Sequence, residues 1–182
     1  MEKVIIDIGS NKLGGYLKLV DILGITDDWK KVFVEPNPEN YAHILNEIKR
    51  IPNSVFYPNA VNSTGASVEL VTRSDREGDI AATIFGKEYL DDILTKYGQK
   101  ADGYTYYEVA GITIAEILES EKDKEVYLKI DCEGAEYEIL MNFPTEYMKN
   151  IKRMFVEFHS NINNKFITDT FLSHGITIEE WE

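Results

Sequence analysis

The sequence predicts an α/β fold with one doubly wound, mostly parallel sheet. Short, continuously apolar runs alternate along the chain with segments of helical periodicity. Such runs are typical of strands that are buried on both faces, and the helices between them are typical of parallel crossovers. Proline, glycine and asparagine separate these segments, as expected for turns. The length of 182 residues is ordinary for one domain.

The first half of the chain contains three predicted strands that are joined by two helices. They are strand 4–8, helix 15–23, strand 31–35, a helix that begins at residue 38, and strand 55–57. Gly24 is placed to end the first helix, because glycine readily adopts the left-handed conformation there. Asn37 suits the N-cap of the second helix and Pro38 its first position. This order predicts consecutive βαβ units.

The second half repeats the alternation less regularly. Strands are predicted at 66–72, 104–109, 126–131, 153–158 and 176–180, and helices at 89–97, 112–118, 134–143 and 165–172. The first two of these strands are expected to pair with each other. We therefore assign residues 1–182 to a single domain, in which a segment from about 74 to 108 is inserted beside the sheet.

Composition and charge exclude several classes of protein. The chain has 32 acidic and 19 basic residues and a formal net charge of −13, without a basic cluster that would neutralise nucleic-acid phosphates. One cysteine, Cys132, forms neither a disulfide framework nor a cysteine-based zinc site. Apolar runs are shorter than the roughly 20 residues that span a bilayer, and we expect no signal peptide, because the apolar run at Val4 follows the first residues almost at once. We expect a cytoplasmic protein that binds neither nucleic acid nor membranes.

Two features at predicted strand ends indicate a nucleoside site. A turn rich in glycine follows the first strand, and such turns let backbone N–H groups approach a ligand. Glu35 ends the second strand, where a carboxylate can accept hydrogen bonds from ribose hydroxyls. Asn11 occupies the middle glycine position of the dinucleotide pattern G-x-G-x-x-G, which disfavours NAD and favours a ligand without phosphates.

Five blocks of sequence, taken in order, resemble the FkbM family of S-adenosylmethionine-dependent methyltransferases. They are Asp7-Ile8-Gly9-Ser10-Asn11, Val34-Glu35-Pro36-Asn37-Pro38, Asn59-Ala60-Val61, Lys129-Ile130-Asp131-Cys132-Glu133-Gly134-Ala135-Glu136 and Phe155-Val156-Glu157-Phe158-His159. The fourth block is the most specific, because it follows the family pattern K-x-D-x-E-G-x-E. The resemblance implies a Rossmann-like class I methyltransferase fold.

The resemblance also implies which residues bind the cofactor, S-adenosylmethionine. Its methionine part would be lined by Asp7, Gly9, Ser10, Asn11 and Gly14. Its ribose would be bound by Glu35 beside Pro36, its adenine would lie between Asn59 and Ala60, and Asp131 would lie beside the sulfonium. The implied reaction is methylation of a hydroxyl on a sugar, a glycan or a related small metabolite, and the candidates for the catalytic base are Asp131, Glu133 and His159.

Several alternatives remain open at this stage. The fold is also compatible with a non-catalytic nucleoside-binding or scaffolding module, and His159 with a hydrogen-bonded cap of its strand. Leu13 stands where the family has its second glycine, which indicates a loop that is one residue longer. Carboxylates and His159 at the rim are conceivable ligands of a divalent metal, but the pattern does not demand one and we predict none. Glu136 is interpreted as structural and Glu138 as solvated, and the small size is compatible with a homodimer.

Overall fold

The computed structural model describes residues 1–73, 104–159 and 164–181. The strands in these ranges are β1 (Lys3–Ile8), β2 (Lys30–Val34), β3 (Ser54–Tyr57), β4 (Ala60–Val61), β5 (Val68–Arg73), β6 (Tyr104–Val109), β7 (Gly111–Ile112), β8 (Glu125–Ile130), β9 (Ile151–Val156) and β10 (Ile178–Glu180). The helices are α1 (Gly14–Leu23), α2 (Pro38–Glu47), α3 (Ile114–Glu119), α4 (Glu136–Met141), α5 (Thr145–Met148) and α6 (Asn164–Ser173). A 3₁₀ turn at Ile48–Arg50 follows α2.

Six strands form the central sheet in the order β10-β9-β8-β1-β2-β3. Every neighbouring pair in this sheet is parallel. The chain runs outward from β1 through β2 to β3, and then returns to the other side of β1 at β8. The strand order therefore reverses between β1 and β8, which is where doubly wound α/β proteins bind their ligands. This sheet confirms the predicted Rossmann-like fold class.

Both faces of the sheet are packed, as the apolar strands predicted. Val4, Ile6 and Ile8 of β1 belong to a core cluster that includes side chains of α3, α4 and α6, and Ile5 belongs to a second cluster with side chains of α1 and α2. Each of these four β1 side chains is at most 1% exposed. Burial of one such side chain contributes about 1.5–3 kcal/mol to folding. The sheet is therefore a rigid support for the loops at its carboxyl edge.

The predicted start of α2 is confirmed in detail. The side chain of Asn37 accepts a hydrogen bond from the backbone N–H of Glu39, and Pro38 is the first helical residue. Gly24 ends α1 with a φ of 62° and donates its N–H to the carbonyl of Val20. Both helix ends therefore follow from local sequence.

Some predicted boundaries are wrong. Ile112 was placed at the start of a helix, but together with Gly111 it forms β7, which pairs in parallel with β4. The helix α3 begins only after Thr113, whose hydroxyl oxygen accepts a hydrogen bond from the N–H of Glu116 while the Glu116 carboxylate accepts one from the N–H of Thr113. The helix predicted at 134–143 is shorter, because residues 131–135 form a turn that is shaped by the site described below.

Part of the predicted insertion lies in the described residues. β5 and β6 form an antiparallel pair, as expected from the sequence. The Tyr107 hydroxyl donates a hydrogen bond of 3.0 Å to the Glu39 carboxylate, so this pair is attached to the first turn of α2. The helix predicted at 89–97 lies outside the described residues. Within the described ranges, the helices are too short or too polar to cross a bilayer.

The loop between β1 and α1 contains an unusual backbone conformation at Leu13. Leu13 has a φ of 65°, in the left-handed region that favours glycine, and α1 begins directly after it at Gly14. Leu13 thus has the backbone conformation that glycine favours, and the expectation of a loop that is one residue longer than in the family stays a prediction. The side chain of Leu13 is 2% exposed and packs in the cluster beneath α1, which offsets the cost of its backbone conformation.

Candidate active site

A cavity of about 280 Å³ opens at the carboxyl edge of the sheet, where the strand order reverses. Its walls come from the ends of β1, β2 and β8, from the segment that contains β4, and from the residue after β9. The sequence-predicted residues in these walls are Gly9, Asn11, Glu35, Pro36, Asn59, Ala60, Asp131 and Glu133. The structure therefore brings together most of the predicted site, although these residues come from distant parts of the chain.

Glu35 lies in this wall with 5% of its surface exposed. One carboxylate oxygen accepts a hydrogen bond of 2.7 Å from the N–H of Asn11. The other accepts bonds of 2.9 Å from the N–H of Asn37 and 3.4 Å from the Asn40 amide. Burial raises the pKa of Glu35, while these hydrogen bonds counteract the increase. A carboxylate has about four acceptor positions, so Glu35 is held in place and still has room for a ligand donor.

Two amide oxygens in the cavity wall have no hydrogen-bond partner among the described residues. They are Oδ1 of Asn11 and Oδ1 of Asn40, and Asn40 is only 1% exposed. A buried polar atom without a partner costs about 1–3 kcal/mol unless a ligand or water satisfies it. Sequence reasoning missed Asn40 because it considered only strand ends, whereas Asn40 reaches Glu35 from the first turn of α2.

The wall formed by β4 is fixed from two directions. The side-chain amide of Asn59 donates 3.1 Å to the carbonyl of Gly111, which joins β4 to β7. On the opposite side, the N–H of Ser63 donates 2.8 Å to the Glu138 carboxylate, which also accepts a hydrogen bond from the Ser63 hydroxyl. Glu138 is therefore not simply solvated, as the sequence suggested, because it connects α4 to the loop after β4.

Four predicted site residues are not among those that line the cavity. Asp7 is fully buried and ion-paired, and Ser10 is buried with its hydroxyl donating 2.7 Å to the carbonyl of Asp7. Gly14 is exposed at the start of α1. His159 lies beside the cavity and contacts the residues of its rim. Asp7 and Ser10 thus support the loop from below.

Gly9 has an identifiable steric role in the same loop. Its φ is 76°, and a Cβ atom placed on it would lie 1.6 Å from the carbonyl oxygen of Asp131. Only glycine permits this close approach of the first loop to the end of β8. The approach brings the two halves of the sheet together at the floor of the cavity.

His159 is surrounded by carboxylates. Its Nδ1 lies 3.0 Å from Glu136, which is 2% exposed, and its Nε2 lies 3.3 Å from Glu133 and 3.5 Å from Glu157. Asp131 is farther away, at 4.0 Å from Nε2. Glu136 also accepts hydrogen bonds from the N–H groups of Cys132 and Gly134, so it shapes the turn and orients the imidazole at the same time.

These contacts raise the pKa values of both His159 and Glu133, but to different extents. The hydrogen bond to Glu136 and the nearby carboxylates outweigh burial and raise the pKa of His159 to about 9. Burial and the neighbouring carboxylates raise the pKa of Glu133 to about 7, although His159 acts in the opposite direction. At neutral pH His159 is therefore a cation, and Glu133 exchanges its proton readily.

Comparison with known proteins was made by family, by curated relatives and by solved structures. The model of the methyltransferase FkbM domain matches residues 7–176. The chain belongs to the FkbM methyltransferase family. The searches of curated proteins and of solved structures found no similar chain. The family match covers every strand end that contributes to the cavity, so this FkbM protein is a methyltransferase whose site lies in the matched region.

Three side chains at the rim of this FkbM methyltransferase lie close enough together to hold a metal ion. One ligand atom each from Asp131, Glu133 and His159 lies within 4.8 Å of the others. The imidazolium of His159 already supplies a positive charge to these carboxylates, and Nδ1 is engaged by Glu136. The absence of a metal therefore stays a prediction from the sequence.

Proposed function

We propose that this FkbM methyltransferase uses S-adenosylmethionine and methylates a hydroxyl group of a sugar, a glycan or a related small metabolite. The observation that carries the cofactor assignment is the acceptor-rich wall of the cavity. Glu35 is fixed there by three hydrogen bonds, and the amide oxygens of Asn11 and Asn40 have no partner within residues 1–73, 104–159 and 164–181. A ribose presents hydroxyl donors, which complement such a wall.

The charges of the cavity support the same cofactor. Asp131, Glu133 and Glu157 contribute carboxylates to the walls, and none of the lining residues is a lysine or an arginine. A sulfonium is favoured by such surroundings, whereas a pyrophosphate is repelled. Asn11 also places a side chain at the position where a dinucleotide site needs glycine. These features favour S-adenosylmethionine over NAD.

The proposed chemistry needs an acceptor hydroxyl aligned with the methyl group and a base for its proton. The bound cofactor supplies an electrophilic methyl group on sulfur. Glu133 is the best placed base, because it lies at the rim with a pKa of about 7, close to the pH at which it operates. His159 is protonated in this range and instead stabilises the ionised carboxylates. Alignment in the cavity is expected to supply most of the rate acceleration.

Calorimetry with S-adenosylhomocysteine and, separately, with NAD tests the cofactor assignment. We expect binding of S-adenosylhomocysteine and none of NAD. NAD binding without S-adenosylhomocysteine binding contradicts the proposal. A subsequent screen of sugars, glycans and small alcohols with labelled S-adenosylmethionine tests the acceptor. Cofactor binding without transfer to any of them favours a nucleoside-binding module, and transfer only to amines contradicts O-methylation.

A further inference from the structure

Lys129 is a buried lysine for which the proposed chemistry has no direct use. It is the first residue of the K-x-D-x-E-G-x-E block, and its side chain is 2% exposed. Its Nζ lies 3.0 Å from the Asp7 carboxylate and 3.2 Å from the Asp131 carboxylate. The same ammonium donates 3.2 Å to the carbonyl oxygen of Gly9. Lys129 thus contacts both loops that meet beneath the cavity.

The side chain of Lys129 occupies space that is available because residue 15 is a glycine. Gly15 lies in the first turn of α1, and a Cβ atom placed on it would be 2.6 Å from Cε of Lys129 and 3.2 Å from its Nζ. At the neighbouring Gly14, an added Cβ would meet nothing within 4 Å. The aliphatic part of Lys129 therefore passes directly under Gly15 before it reaches the two carboxylates.

Stability alone does not account for this arrangement. Buried ion pairs recover their desolvation cost only with good geometry, and well-packed apolar residues are often equally stable in their place. Neither carboxylate oxygen of Asp7 accepts a hydrogen bond of good geometry from the described residues, although Oδ1 is ion-paired with Lys129. Burial acts to lower the pKa of Lys129, but Asp7 and Asp131 outweigh it and raise this pKa above its usual range. The ammonium is therefore a permanent charge beneath Asp131.

The geometry of Asp131 indicates what this charge does. One oxygen of Asp131 is held by Lys129, and the other is 4.0 Å from Nε2 of His159. Glu133 approaches the same nitrogen to 3.3 Å. Without its lysine partner, the Asp131 side chain is free to turn toward the imidazolium and to leave the cavity wall.

We propose that Lys129 is a positioning residue, which holds Asp131 in the cavity wall, keeps it away from His159, and ties it to the backbone of Gly9. This deepens the proposed function, and only its kinetic consequence rests on that function. The groups that face His159 are Glu136 from α4, Asp131 and Glu133 from the turn after β8, and Glu157 after β9.

The test uses the titration of His159, which requires neither cofactor nor acceptor. Lys129→Met alone leaves Asp7 unpaired and is expected to destabilise the fold, so the variant of choice is Asp7→Asn combined with Lys129→Met. In this double variant we expect Asp131 to approach His159. The pKa of His159 should then rise by about one unit, as measured by NMR at the imidazole carbon. In an Asp131→Asn background, the same double substitution should cause no such shift.

A second pair of variants keeps all charges in place. Gly15→Ala forces the end of Lys129 to move, so we expect the His159 titration to shift in the same direction as in the double variant. Gly14→Ala adds the same methyl group in open space and should leave this titration as in the wild type. Equal titrations for Gly14→Ala and Gly15→Ala contradict the proposal, as does a shift that persists in the Asp131→Asn background.

Turnover provides the readout that depends on the proposed function. With an acceptor in hand and saturating cofactor, the double variant should lose at least about tenfold in kcat relative to the wild type. Full turnover of a variant that has lost the lysine overturns the positioning role. If the wild type does not bind S-adenosylhomocysteine, the proposed cofactor fails, whereas the titrations still test the position of Asp131.

Discussion

A carboxylate oxygen of Glu133 lies 3.3 Å from Nε2 of His159 at the rim of the cavity. In this pair the imidazole is the group that stays charged at neutral pH, because Glu136 holds its other nitrogen. The carboxylate titrates near pH 7. Residue type alone suggests His159 as the general base near neutral pH. The pKa values instead favour Glu133 in this role, because His159 stays protonated. The two groups titrate as a coupled pair, so measured values belong to the pair.

The first prediction concerns the pH dependence of methyl transfer. If Glu133 takes the proton, kcat rises with pH through an apparent pKa of about 7 and levels above it. Glu133→Gln should lower kcat by about 10²–10⁴-fold. The measurement is a pH–rate profile of wild type and variant with saturating cofactor. A profile that rises only near pH 9 assigns the proton to His159 and contradicts this role of Glu133.

The second prediction concerns His159 itself. Its positive charge lowers the pKa of Glu133, so His159→Gln should move the rising part of the pH–rate profile to higher pH. His174 is exposed, directly follows α6, and contacts Ser173 and the carbonyl of Thr170. His174→Gln therefore serves as the control, with an unchanged profile. If both variants show the profile of the wild type, the charge of His159 does not act on the base.

The third prediction concerns the proposed binding of the cofactor ribose by Glu35. Glu35→Ala removes the carboxylate acceptor from the cavity and should weaken S-adenosylhomocysteine binding by about 1–3 kcal/mol. Glu47, at the end of α2, pairs with Arg50 at 3.8 Å and with no other basic residue in the part of the chain that the structure describes. Glu47→Ala is the matched control and should bind as the wild type does. Calorimetry gives both values, and equal affinities would place the ribose elsewhere.

The fourth prediction concerns Asn40, whose amide contacts Glu35 at 3.4 Å and whose oxygen lacks a partner. Asn40→Ala should weaken S-adenosylhomocysteine binding by about 0.5–1.5 kcal/mol, which is less than the effect of Glu35→Ala. The side chain of Asn46 accepts an exposed hydrogen bond from Lys49, so Asn46 provides the control on the same helix. A larger loss for Asn46→Ala than for Asn40→Ala would argue against a ligand at this wall.

The fifth prediction concerns stability as a function of pH. The pKa of His159 is raised to about 9 in the folded state, so its stabilisation is complete below about pH 6.5 and is lost as pH rises through 9. The pKa of Glu133 is also raised, and ionisation of this group destabilises the fold as pH rises from about 4.5 through 7. Thermal unfolding should therefore show a Tm that falls between about pH 7 and 9.

This decrease should be smaller in His159→Gln, which has no imidazole to titrate. The comparison is made between wild type and variant at each pH, because other groups also titrate over this range. A wild-type Tm that rises relative to that of the variant between pH 7 and 9 would reverse the sign of the linkage and contradict the raised pKa.

The sequence predicted the elements whose structure is decided locally. The apolar runs at 4–8 and 126–131 became central strands, and Asn37 with Pro38 started α2, because burial and capping act within a few residues. Glu35 was found because the end of a strand is a fixed position in a parallel sheet. The strands and strand ends that support the cavity could therefore be predicted from the sequence. Local rules do not identify all of the residues that line the cavity.

The remaining features depend on contacts between distant segments. The left-handed φ of Leu13 is sustained by burial of its side chain, which local sequence does not report. Asn40 is recognisable only once α2 has been placed against the end of β2. Glu138 was read as solvated because its partner, Ser63, is 75 positions away. The pKa of Glu133 likewise depends on His159, which follows another strand, β9.

The pairing of β1 with β8 has a consequence for how the protein is made. Lys3 is aligned with Glu125 and Ile8 with Ile130, so the floor of the cleft joins the first strand to one encoded late in the chain. A nascent chain that ends after β3 therefore contains Glu35, the proposed ribose ligand, but lacks Asp131 and Glu133 on the opposite wall of the cavity. The cavity can be completed only in the last third of translation, once β8 is available to pair with β1.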